Sequence, residues 1–147
     1  MHTQALPKGH FDVHDYEQDP EKFAAYLAPT AEGQNIEMKH NGPGYRACPT
    51  FVSEYGGIRW APQERKDENR QGSWGYGKDV KDLEDFKARF KGLTDALLDN
   101  DRMMGLCYTQ LTDIEQEQNG LYYYDRSPKF DAEWMHAVMS RKAAIED

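Results

Sequence analysis

Pro49-Thr50-Phe51-Val52-Ser53-Glu54-Tyr55-Gly56-Gly57-Ile58-Arg59-Trp60 is the stretch on which the fold turns. Phe51 and Val52 suit a sheet interior, whereas Gly56 and Gly57 permit backbone angles closed to other residues, so a strand is expected to end at Ser53-Glu54-Tyr55. Such a run presents a carboxylate at the carboxyl end of a strand. In parallel α/β architectures ligands collect at that end, because the loops that follow the strands converge there. Glu54 is therefore the first candidate for chemistry, the other reading being an exposed carboxylate in a strand-to-helix turn.

Working outward, Phe11-Asp12-Val13-His14-Asp15-Tyr16 alternates apolar and polar residues as a short strand does, and Asp19-Pro20 opens a short helix with Glu21, Phe23 and Tyr26. Downstream, Leu83, Phe86, Phe90, Leu93 and Leu97 recur at three- and four-residue steps and so form one apolar stripe of a helix. Asp79 is a possible cap for it, and Asp99-Asn100-Asp101 its end. The run Met103-Met104-Gly105-Leu106-Cys107-Tyr108-Thr109-Gln110-Leu111 has no amphipathic helical period and is predicted to be a strand buried on both faces. Asp131 is placed to cap a last helix bearing Met135, Val138 and Met139. Two polar segments, 29–48 and 61–78, read as long loops; the second has a charged section at 65–70 and a glycine-aromatic section at 72–77, which suits either a mobile lid or a solvated excursion. Strand, helix, loop, strand, helix, strand, helix implies an α/β chain with a parallel sheet and crossover helices.

The 147 residues suit one domain, and a net charge of -8 argues against nucleic acid or an anionic membrane as partner. Hydrophobic residues at 38% allow a folded chain with long polar loops, and aromatic residues at 12% argue against disorder. No apolar run reaches the ~18 residues of a membrane span, and residues 1–9 lack the pattern of a secretion signal, so a cytoplasmic location is expected. Cys48 and Cys107 have no metal or redox spacing and are expected to be buried free thiols rather than a disulfide. The acidic alternation at Asp113, Glu115 and Glu117 has Gln118 where a calcium loop needs glycine, and His10 with His14 makes only two ligands, so no metal site is expected. Met103, Met104, Met135 and Met139 read as packing, and no cofactor is implied.

The Ser53-Glu54-Tyr55-Gly56-Gly57 core, the phrase from Leu106 through Cys107-Tyr108-Thr109-Gln110-Leu111-Thr112-Asp113 to Tyr124, the His14-Asp15-Tyr16 phrase and the helix end Leu93-Thr94-Asp95-Ala96-Leu97-Leu98-Asp99-Asn100 together carry a likeness. They resemble the last units of the catalytic barrel in glycoside hydrolase family two, the β-galactosidase and β-glucuronidase family, and its β-galactosidase-like members above all. The resemblance implies a partial TIM (β/α)8 barrel comprising strands six to eight, with residues 1–147 as the carboxyl-terminal segment of a glycoside hydrolase catalytic domain. It implies a retaining exo-β-glycosidase of carbohydrate metabolism, acting on a β-glycoside substrate, with Glu54 as nucleophile. Retaining enzymes need a second carboxyl about 5–5.5 Å away; the family carries it as a Glu following an Asn at the end of the fourth strand. This sequence has no Asn-Glu pair, so the isolated chain is expected to be inactive.

A whole barrel takes about 250 residues, and strands six and eight of such a piece have open edges, so association with the remainder of the barrel or self-association is expected. His14 and Tyr16 become candidates for substrate or carboxylate contacts, with a core role open for Tyr16. Gln110 and Asp113 become hydroxyl binders or loop caps, and Trp74 becomes a surface for stacking on a pyranose, while Trp60 packs behind the glycine turn. The alternative is a non-catalytic remnant that binds sugar or serves as a structural subunit.

Overall fold

A computed structural model describes residues 11–34, 48–62 and 72–147. The elements are β1 (Phe11–Asp15), α1 (Pro20–Ala31), β2 (Thr50–Gly56), α2 (Leu83–Leu98), β3 (Met103–Thr109) and α3 (Ala132–Met139), with a final 3-10 turn at Ala144–Glu146. The three strands form one parallel sheet in the order β1-β2-β3. The strand-helix alternation expected from the sequence is thus present. His10, most of the segment 29–48 and the charged section 65–70 lie outside the described residues.

One face of the sheet is covered by helices. Phe23 and Leu27 from α1, Phe86, Phe90, Leu93 and Leu97 from α2 and Val138 from α3 pack with Val13, Val52, Tyr55 and Tyr108 of the sheet into one buried cluster. Fully burying each large apolar side chain contributes ~1.5–3 kcal/mol, so this cluster is the main source of stability. Within it the rings of Tyr55 and Tyr108 meet edge-on at 5.5 Å, and Phe90 meets Tyr108 at 4.9 Å. The phenol oxygens of this cluster are satisfied: the Tyr55 hydroxyl donates to Thr94 Oγ1 (2.9 Å), which donates to the Phe90 carbonyl (2.8 Å), and the Tyr108 hydroxyl accepts from the Ile58 amide (3.2 Å).

Several boundaries differ from the sequence reading. β1 stops at Asp15, leaving Tyr16 in the turn. Asp19 caps α1 by accepting from the Glu21 and Lys22 amides, and the helix runs through Pro29 to Ala31 instead of ending before it. A proline in the last turn costs a single helical bond, and the buried Asn100 side chain ties this end down by donating to the Leu27 carbonyl (3.3 Å) and Thr30 Oγ1 (2.9 Å). The cap of α2 is Asp82, which accepts from the Asp85 amide (2.8 Å); Asp79 pairs with Arg59 instead (3.4 Å). α2 has no cation in its own last turn, and Arg141 supplies one from beyond α3, pairing with Asp95 and Asp99 at 3.2 and 2.8 Å.

β3 corrects the expectation of a strand buried on both faces. Met103 and Tyr108 are buried, but Met104 and Cys107 are exposed, because among the described residues helices cover one side of the sheet only. The expected buried thiols are corrected likewise: both cysteines are free, Cys48 half-buried and Cys107 exposed. Among the described residues no helix is long and apolar enough to cross a membrane.

Candidate active site at the carboxyl ends of the strands

The position of Glu54 is set by an irregularity in β2. Val13 and His14 of β1 pair with Val52 and Glu54, and Leu106 and Tyr108 of β3 pair with Val52 and Tyr55, so β2 carries one extra residue against each neighbour. Strict alternation from the buried Val52 would turn Glu54 inward. The bulge lets Ser53 and Glu54 both stay half-exposed and returns Tyr55 to the core. A bulge of this kind re-aims a side chain at the end of a strand, and here the side chain is the carboxylate.

The two glycines that follow hold positive φ, 81° at Gly56 and 61° at Gly57. Both are sterically required. A Cβ on Gly56 would enter the Tyr108 ring, and one on Gly57 would enter Tyr76 and press on Tyr16. The Gly57 carbonyl also accepts from the Tyr76 amide (2.9 Å), which draws the glycine-aromatic segment onto the turn.

All three strand ends converge on Glu54. Tyr16, just past β1, donates its hydroxyl to Glu54 Oε2, and His14 Nδ1 lies 3.2 Å from the same oxygen. Thr109 Oγ1, from the end of β3, is 3.4 Å from the Tyr16 hydroxyl. Burial, reinforced by the bond to Glu54, raises the Tyr16 phenol well above its ordinary pKa, so it remains a protonated donor. The carboxylate is 40% exposed, which leaves it reachable from solvent. The Tyr16 ring stacks flat on Tyr76 at 3.5 Å, and Tyr76 meets Trp74 edge-on at 5.8 Å. A cavity of about 990 Å³ opens beside this cluster; it is lined by His14 and Tyr16 together with Gln18, Lys78, Asp85 and Arg89.

The described part of the second loop is neither a free lid nor a solvated excursion. Trp74 exchanges backbone hydrogen bonds with Gln116 (2.8 Å) and Gln118 (2.9 Å), and Arg59 Nε donates to Ser73 Oγ (2.8 Å), so the segment is laced between the β2 turn and the chain after β3. Trp60 packs against Phe86 at 6.3 Å, behind the turn.

The remaining candidates lie on the β3 side and are engaged there. Gln110 Nε2 donates to Asn119 Oδ1 (2.8 Å). Asp113 Oδ1 accepts from the Gly120 amide (2.9 Å) and from Lys129 Nζ (2.6 Å), with the two side chains 6% and 0% exposed. Lys129 Nζ also donates to the Trp60 carbonyl (2.8 Å) and sits 5.3 Å from the centre of the Tyr123 ring. Burial lowers the Lys129 pKa, and the Asp113 carboxylate opposes that shift. Sequence reasoning missed Tyr76, whose glycine-flanked position was its one signal, and Lys129, which had none. Among the described residues no group of three or more His, Cys, Asp or Glu is arranged to hold a metal ion.

Compared with known protein families and with curated proteins, the sequence matches none. Among solved structures it matches the crystal structure of a Bacteroides uniformis β-glucuronidase with a TM-score of 0.52 and 20% identity, over 80% of this chain and 14% of that one. The likeness is one of fold, and the chain spans about 14% of the length of that enzyme.

Proposed function

We propose that the chain forms the closing three strand-helix units of a TIM (β/α)8 barrel of the glycoside hydrolase family two type and belongs to a retaining, β-galactosidase-like exo-β-glycosidase. Three features support the barrel: strands in sequential parallel order, helices on one face only, and the fold shared with a stretch of a β-glucuronidase. A parallel sheet is ordinarily covered on both faces. The exposed face, bearing Asp12, His14, Met104 and Cys107, and the outer edges of β1 and β3 are where the remainder of the barrel docks.

The observation that carries the chemistry is Glu54, delivered by the bulge to the end of the central strand and held by a phenol and an imidazole. The phenol O–H fixes one carboxylate oxygen and so aims the group, as a nucleophile needs. Glu54 attacks the anomeric carbon, the bond to the leaving oxygen breaks with its electron pair going to that oxygen, and a glycosyl ester forms. Water later cleaves the ester. The acid that protonates the leaving oxygen comes from another strand of the completed barrel.

A second reading, a sugar-binding or structural piece without catalysis, is favoured by Asp113, the carboxylate after β3, which is paired with the buried Lys129 and so engaged in the fold. One reagent separates the two. Dinitrophenyl fluoroglycosides of galactose and glucuronic acid carry a leaving group that needs no acid, so the missing carboxyl is not required. The expected result is a single covalent addition, mapped to Glu54 by mass spectrometry and absent from Glu54→Gln; no addition to the wild-type chain overturns the nucleophile role.

A further inference from the structure

Tyr16 needs an anchor that β1 does not give it. The strand ends at Asp15, so the ring stands on a turn, and its bond to Glu54 is only as well aimed as the ring is still. Tyr76 lies flat against that ring, with centroids 3.5 Å apart and planes 4° from parallel. Aromatic quadrupoles favour offset or edge-on pairs over such face-to-face stacking, so attraction between the rings does not by itself select this arrangement. The backbone imposes it. The Tyr76 amide donates to the Gly57 carbonyl (2.9 Å), and Trp74, clasped by Gln116 and Gln118, meets the Tyr76 ring edge-on. Arg59 holds this strap on both sides of Tyr76, through Ser73 (2.8 Å) and Asp79 (3.4 Å), and Gly75 lies directly on the Arg59 backbone, where a Cβ would collide. The Tyr16 phenol registers its neighbour: Tyr76 adds to the upward shift that burial and Glu54 produce.

We propose that Tyr76 is a positioning residue for Glu54: fixed by the strap, it holds the Tyr16 ring in one plane, and Tyr16 holds one carboxylate oxygen so that the other is aimed for attack. The inference rests on the reading of Glu54 as the nucleophile. Tyr76 acts through Tyr16, so it governs the rate of bond formation and not the affinity for the sugar. A reacting group that is slightly misaimed loses rate steeply, which is why the plane of a ring one step removed matters.

The test separates the first-order rate of covalent capture by the dinitrophenyl fluoroglycosides from the concentration that half-saturates it. Tyr76→Leu is expected to slow the first-order step about tenfold and to leave half-saturation within about twofold of the wild type. Tyr76→Phe, which keeps the flat ring, restores most of the rate. Tyr16→Phe is slowed as well, and adding Tyr76→Leu to it slows capture no further, because the two residues act in series. In a chain carrying labelled tyrosine, the Tyr16 Cζ resonance of Tyr76→Leu reports ionisation while circular dichroism still reads a folded chain, whereas the wild-type phenol stays protonated until unfolding. Should Tyr76→Leu not fold, Ser73→Ala with Asp79→Asn loosens the strap from Arg59 without altering a ring and is expected to slow capture about threefold. The positioning role is overturned if Tyr76→Leu, or in its place the strap variant, leaves the rate unchanged. It is equally overturned if the loss appears in half-saturation instead, if Tyr76→Phe is as slow as Tyr76→Leu, or if the Tyr76 and Tyr16 losses multiply. Absence of capture by the wild-type chain is a different failure, that of the nucleophile reading, and it removes this inference too.

Discussion

The ends of β2 and β3 both follow a strand with a carboxylate, and the two carboxylates are treated in opposite ways. Asp113 is buried with a buried lysine and an amide donor, and it fastens the chain after β3 to the turn after β2 through the Trp60 carbonyl. Glu54 stays half-open, held by a phenol and by a histidine that is itself 55% exposed. A charge that has been taken out of water and fully compensated serves the fold. A charge that is aimed, hydrogen-bonded and still reachable is what the proposed chemistry calls for.

The sharpest way to break this contrast is at the buried pair. Lys129→Met leaves the Asp113 carboxylate buried without its cation and is expected to cost ~3–5 kcal/mol, read as the shift in urea midpoint. Adding Asp113→Asn to that variant recovers part of the loss, since no uncompensated charge then remains. A cost under ~1 kcal/mol for the single change would show the pair to be no strut.

The core and mouth phenols predict a pH limit. Burial pushes Tyr55 up to about 12 and raises Tyr108 and Tyr16 further, the last also through Glu54. Each is protonated in the folded chain at a pH where it ionises in the unfolded one. Their contribution is therefore full below the ordinary phenol pKa of ~10 and falls as pH rises above it, that of Tyr55 being lost through about 12 and those of Tyr16 and Tyr108 at higher pH still. Tyrosinate absorbance followed alongside circular dichroism is expected to show these groups ionising with unfolding and not before it.

Gly57→Ala comes next in size. The residue would sit at a φ of 61° and push its methyl into Tyr76, so a loss of ~1–3 kcal/mol is expected, together with loosening of the Tyr16–Tyr76 stack seen in the aromatic resonances. Unchanged stability would mean that the turn relaxes and does not press the rings toward Glu54.

Much of this was legible because local patterns carried it. The stripe of Leu83, Phe86, Phe90, Leu93 and Leu97 reports a helix face directly, and all but Leu83 are fully buried. Phe51-Val52 followed by two glycines reports a strand and its turn. What escaped was non-local. The amino-terminal cap of α2 was misassigned because Asp79 and Asp82 look alike until Arg59 claims one of them. β3 reads as buried on both faces because Met104, Leu106 and Cys107 carry the composition of an interior strand, whereas the described residues cover only one side. The bulge is the clearest case. Simple alternation in Val52-Ser53-Glu54-Tyr55 gives Glu54 and Tyr55 the wrong faces, and pairing with two neighbouring strands is needed to correct it.

The smallest expected effect on stability is also the most informative. Glu54→Gln keeps the shape of the side chain and an oxygen to accept from Tyr16, and it removes one negative charge from a chain of net charge -8. The contact with His14 that it alters joins two side chains 55% and 40% exposed, and contacts between such solvent-screened groups contribute little. Folding stability is therefore expected to stay within ~0.5 kcal/mol of the wild type, while covalent capture by the dinitrophenyl fluoroglycosides disappears. A residue whose loss leaves the fold intact and removes the chemistry is one that the fold was carrying for another purpose. If Glu54→Gln instead unfolds the chain to the extent of Lys129→Met, the two strand ends are alike, and Glu54 is a second strut.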